Sequence, residues 1–118
     1  MPVNRAKLET VGSGQFRVSG QLDAASVVNV LKESRDRFAE SKAVDVDLSG
    51  VTESDSAGLA LLLEWLRLAR VDERLIRFHN LPPQICALAH ISEVDELLAA
   101  NLEEEMPAET PATAPATV

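Results

Sequence analysis

At 118 residues with 46% hydrophobic side chains, the chain is long enough for one domain with a substantial core and not comfortably for two. Its formal net charge of -8 repels phosphate backbones and anionic lipid headgroups, which argues against a free-standing nucleic-acid or membrane-surface role; a basic protein surface suits it better as a partner. The only aromatic residues are Phe16, Phe38, Phe78 and Trp65, so the core is expected to be aliphatic.

The stretch MPVNRAKLET lacks an apolar h-region, so no signal peptide is expected. The longest apolar run, Leu59 to Leu63, is far short of the roughly 20 residues of a membrane span. These features predict a cytoplasmic protein without direct membrane insertion. The single Cys86 lies among Ile85, Ala87 and Leu88 and reads as a buried small hydrophobe in a reducing compartment.

Taken along the chain, Val3 to Val11 and Gln15 to Ser19 read as a hairpin about the turn Gly12-Ser13-Gly14, whose two glycines allow positive φ. Gly20-Gln21-Leu22 then leads to Asp23, placed to cap a first helix with apolar residues at Ala24, Val27, Val28, Leu31 and Phe38. In AVDVDLSG, Val44, Val46 and Leu48 alternate with Asp45 and Asp47, the period of a strand with one buried face. A second helix is expected from Ala57 to about Val71, followed by a strand over RLIRFHN. After Leu81-Pro82-Pro83 a short helix follows, with Pro83 suited to its first turn, and then a helical end.

This order predicts an α/β layered domain: a mixed, roughly four-stranded sheet whose connecting helices lie mainly on one side. The domain is expected over residues 1–100. Residues 101–118, acidic and then rich in Pro, Ala and Thr, are expected to form a disordered tail.

Stepping about 100° per residue round the second helix, Ala57, Leu59, Leu61, Leu62, Trp65, Leu66, Leu68 and Ala69 fill an arc of roughly 200°. Facing a core requires less, so part of this apolar surface is expected to lack an internal partner. On the opposite arc Ser56, Ala60, Leu63 and Arg67 form one stripe, which reads either as a modest protein interface or as an ordinary solvated face.

Ahead of that helix stand Ser54, Asp55 and Ser56, each able to serve as N-cap. A cap explains one of the three. A hydroxyl at a helix N-terminus is also where phosphate would be stabilised, and Gly58 in the first turn permits close approach. Spacing alone leaves both readings open.

The strand Asp45 to Val51, the corner Glu53 to Leu63, the earlier Gly20 to Val27 and the stretch LIRFHNLPPQICALAHI together resemble a STAS domain, found in anti-sigma-factor antagonists and sulfate-transporter tails. The resemblance implies the STAS (anti-sigma-factor-antagonist-like) fold. Asp55-Ser56-Ala57-Gly58-Leu59-Ala60-Leu61-Leu62-Leu63 is similar to the corner of the small cytoplasmic STAS subunit of Mla-type ABC transporters, which move phospholipid between the two membranes of Gram-negative bacteria. That branch implies docking on an ABC-transporter ATPase subunit, peripheral to the inner membrane, through Ser54, Asp55, Ser56, Gly58, Ala60, Leu63 and Arg67. The alternative branch implies an anti-sigma-factor antagonist phosphorylated by an anti-sigma factor kinase. Ser56 is then the candidate acceptor, although the residue before the glycine, where that branch usually carries its hydroxyl, is Ala57 here.

No catalytic constellation is visible. His79 and His90 have no carboxylate or thiol at a familiar metal or triad spacing, so both read as structural or surface residues. Asp45 and Asp47 share a strand face and could hold a cation, but more commonly such a pair is solvated. Glycines are too few for a nucleotide loop. No enzyme activity, cofactor or metal is expected.

Overall fold

The computed structural model describes residues 5–94 together with Leu98. The expected tail, residues 101–118, and most of the helical end after Val94 lie outside the described residues. The elements run β1 (Lys7–Gly12), β2 (Gln15–Leu22), α1 (Ala24–Phe38), β3 (Ala43–Ser54), α2 (Ser56–Val71), β4 (Leu75–His79) and α3 (Pro83–Ile91).

The four strands form one sheet in the order β1-β2-β3-β4. β1 and β2 are antiparallel, whereas β2–β3 and β3–β4 are parallel. Each parallel step moves one strand along through a helix, and the right-handed sense of such crossovers brings α1 and α2 to one face. Strand alternation shows which face that is. Phe16, Val46 and Phe78 pair across three strands and are all buried, while the neighbouring row Arg17, Asp47 and His79 lies on the opposite face, which no described helix covers.

β2 runs three residues beyond the expected Ser19. Gly20, at φ 95, carries the strand past a register shift, and only then does Leu22 reach the core. In the hairpin turn Gly14 alone has positive φ.

α1 begins as its sequence suggests. The Asp23 carboxylate accepts from Ser26 N at 2.9 Å and Ser26 Oγ accepts from Asp23 N at 3.1 Å, a reciprocal capping box. Its buried face differs from the expected one, because Ala24 is exposed and Val28 is 54% exposed. The buried positions are Ser26, Val30, Ser34 and Phe38. Both serines are 1% exposed and can be buried because their hydroxyls are satisfied internally: Ser26 Oγ donates to Gln21 O at 2.8 Å and Ser34 Oγ to Leu31 O at 2.7 Å.

α2 packs against both α1 and α3. This central position accounts for the wide apolar arc: Leu59, Leu61, Leu62, Trp65 and Ala69 are buried, and Ala57, Leu66 and Leu68 are half-buried. Most of the arc therefore has internal partners, more than its width alone suggests, while Leu68 lines open space instead of packing on the core. Cys86 is also corrected, since it is exposed. α3 buries Ile85 and Ala89, and the residue after Ile85 lies about 100° further round, outside that face.

The core is largely aliphatic, but the four aromatic side chains form one continuous row within it. Ring centroids of Phe16 and Phe38 are 4.9 Å apart, Phe38 and Trp65 5.3 Å, and Trp65 and Phe78 6.4 Å. Trp65 Nε1 donates to Ser34 Oγ at 2.8 Å, so the row is pinned to α1 by a buried hydrogen bond.

Candidate functional site

The corner between β3 and α2 is set by the sheet. β3 gains one residue on β2 between Arg17 and Ser19, and another between Gly20 and Gln21, before Leu22 pairs with Ser54. Asp55 N then donates to Leu22 O at 3.2 Å, and the chain turns into α2. Bulges of this kind re-aim the end of a strand.

The three polar residues of the corner divide the work. Asp55 is the N-cap, its Oδ1 accepting from Ala57 N at 2.8 Å. Ser54 is half-buried and its hydroxyl donates to Asp55 O at 3.1 Å. Gly58 is buried above it: a Cβ there would fall on Ser54 Oγ and stand 3.3 Å from the Leu22 side chain. Ser56, the first residue of α2, is exposed, and its hydroxyl bonds to no described residue. Of the hydroxyls flanking Asp55, Ser56 is thus the one presented to solvent at the positive end of the helix.

Along the outer side of α2, Ala60 and Arg67 are exposed and Leu63 is half-buried, resting partly on the core. Arg67 is held by Glu64 through a two-pronged ion pair, Nε to Oε1 at 3.0 Å and Nη2 to Oε2 at 2.7 Å. This hydrogen bonding keeps the Glu64 carboxyl below its ordinary pKa and raises that of Arg67. Ser56, Ala60, Leu63 and Arg67 therefore share one outward side of the helix.

The uncovered sheet face holds a second polar group, only part of which is visible from residue spacing. His79 Nε2 lies 2.9 Å from Asp45 Oδ1, a pairing created by the β3–β4 register across 34 residues. Asp47 accepts from Ser49 N at 2.9 Å and Asn80 Nδ2 at 3.0 Å, with Arg17 at 3.7 Å. Burial pushes the Asp47 carboxyl up, but these hydrogen bonds and Arg17 outweigh it and hold the group below its ordinary pKa. Both carboxylates are thus engaged by protein groups. Among the described residues, no three His, Cys, Asp or Glu side chains are grouped to hold a metal ion.

Comparison with known proteins agrees with this architecture. Two solved structures of SpoIIAA, the anti-sigma factor antagonist in its unphosphorylated form and the Bacillus cell fate determinant in the phosphorylated form, each superpose with a TM-score of 0.63 at 16% identity. Each alignment covers 86% of this chain, and 89% and 92% of the respective SpoIIAA chains. At that identity the likeness shows the fold. No curated protein matches the chain by sequence. A family profile described as the Mlab STAS domain matches residues 8–99, which places the chain in the STAS family, in the Mlab-type group.

Proposed function

We propose that this chain is a non-catalytic accessory subunit that binds and supports the ATPase of an ABC transporter moving phospholipid between membranes, and so helps maintain outer-membrane lipid asymmetry. The observation that carries this reading is the stripe of exposed Ser56, Ala60 and Arg67 with half-buried Leu63 among them, beginning at a solvent-facing hydroxyl on the capped end of α2. The Mlab description of the family supports the choice of partner. On this reading the subunit reaches the inner membrane from the cytoplasm through its partner; among the described residues no helix is long and apolar enough to cross a membrane. The Asp55 cap and the Ser54–Gly58 contact hold the first turn of α2, and the stripe supplies the contact.

The test is co-purification with a nucleotide-binding subunit encoded beside it. Ser56→Arg places a bulky cation at the exposed end of the stripe and should weaken assembly by about tenfold or more, with an unchanged circular dichroism spectrum. Normal assembly of this variant would remove the docking face from consideration.

A second reading, an anti-sigma-factor antagonist switched by serine phosphorylation, is favoured by one observation, the exposure of the Ser56 hydroxyl at a helix N-terminus. Against it, Ala57 stands immediately before Gly58. Phosphate on Ser56 after incubation with an anti-sigma kinase, read by mass spectrometry, would select this reading over the transporter.

A further inference from the structure

Between the C-terminal halves of α1 and α2, where β4 begins, lies a cavity of about 260 Å³ on the flank away from the docking corner. Its apolar wall is Phe38, Trp65, Leu68 and Ile76. Ser34 and Ala69 also line it, each small where a Leu would occupy part of the volume. The space opens to solvent on one side, and its volume exceeds the roughly 150 Å³ of an apolar cavity that admits benzene. Ser34 Oγ offers water little, because it accepts from Trp65 and donates to Leu31 O.

The polar edge is cationic. The Arg74 side chain is only 13% exposed; its Nε donates to Ser41 O at 2.9 Å and its Nη1 to Asp72 at 3.2 Å. Its Nη2 has no partner among the described residues, and the Asp72 carboxylate on the same rim is already engaged by Nη1. Arg35, exposed at the edge, hydrogen-bonds to no described residue. Two guanidinium groups and one carboxylate thus line the cavity beside its apolar wall, with the Glu64 carboxylate also near Arg35.

We propose that this cavity binds a small apolar monocarboxylate, its hydrocarbon body against Phe38, Trp65, Leu68 and Ile76 and its carboxylate accepting hydrogen bonds from Arg74 and Arg35. The site is independent of the α2 stripe. Trp65, the only tryptophan of the chain, stands in its wall and reports occupancy.

The full chain is titrated with 3-cyclohexylpropionate, which does not absorb where Trp65 is excited. The expected result is a saturable change in Trp65 emission with a Kd on the order of 1 mM or tighter. Leu68→Glu, which sets a negative charge at the half-buried rim, weakens binding about tenfold, and so does replacing the probe by its alcohol, 3-cyclohexylpropan-1-ol. Ala69→Leu, which fills the space, abolishes the response; if that variant does not fold, Leu68→Glu decides. No saturable response, equal binding of acid and alcohol, or an unaltered Leu68→Glu affinity overturns the proposal.

Discussion

Gly58 and Ser54 approach closely: a Cβ on Gly58 would overlap the Ser54 hydroxyl as it is now oriented and stand 3.3 Å from the Leu22 side chain. The first turn of α2 can lie so close to the end of β3 only because one residue lacks a side chain and the other has a short one. Gly58→Ala is therefore expected to destabilise the fold by about 1–3 kcal/mol, despite alanine's better helix propensity. Removing the obstructing hydroxyl should recover much of the loss, so the double variant with Ser54→Ala should be more stable than Gly58→Ala alone. Urea unfolding of the four proteins of this cycle measures the coupling; additive effects would contradict the contact.

A second cycle concerns the buried bond between Trp65 and Ser34. Ser34→Ala leaves the indole N–H without its acceptor inside the core and should cost about 1–3 kcal/mol. In a Trp65→Phe background the same substitution should cost clearly less, because no donor is then stranded. Thermal unfolding followed by far-UV circular dichroism reads both backgrounds.

Acid should unfold the protein partly through Asp23 and Asp47. The Asp23 carboxyl is held below its ordinary value of 3.8 chiefly by the Ser26 backbone hydrogen bond, then by the Ser26 hydroxyl. A depressed folded-state pKa contributes stability that is complete above the unfolded value and lost as pH falls through the folded one. The urea midpoint should hold steady in mildly acidic buffer and drop below about pH 4. Asp23→Asn keeps an oxygen acceptor for the cap but does not titrate, so its decline should be shallower.

Cys86 should react with iodoacetamide in the native protein without denaturant, at a rate close to that of an exposed model thiol, since its side chain lies off the buried face of α3. Protection that disappears only in urea would show the thiol to be covered.

Ser56→Arg should shift unfolding free energy by no more than about 0.5 kcal/mol, because the residue is exposed and caps nothing. Its effect on assembly with a transporter ATPase can then be attributed to the surface itself. Asp55→Ala provides the contrast, expected to cost about 1 kcal/mol through loss of the cap.

Much of the architecture is legible from local pattern. Alternation at Val44, Val46 and Leu48 marks β3, Asp23 marks the start of α1, and the strand–helix order implies the parallel crossovers. What escapes has a common physical origin in partners distant along the chain. Nothing in the local pattern marks Ser34 for burial; that depends on Trp65, 31 positions away, being brought to its hydroxyl. The pairing of His79 with Asp45 depends on strand register, which spacing does not reveal. The wide apolar arc of α2 resembles surplus until α1 and α3 are known to flank it on both sides. At the corner, Asp55, Ser54 and Ser56 are chemically equivalent as caps in sequence, and the β3 bulges and the approach of Gly58 separate them in space.

The row Phe16–Phe38–Trp65–Phe78 gathers every phenylalanine and tryptophan ring of a chain that has no tyrosine. Near-ultraviolet dichroism and intrinsic fluorescence consequently sample one stratum of this molecule, the seam where α1 and α2 meet the sheet. A loosening of the β3–α2 corner that spared this seam would be optically silent, and following it calls for a label or an amide-resolved method.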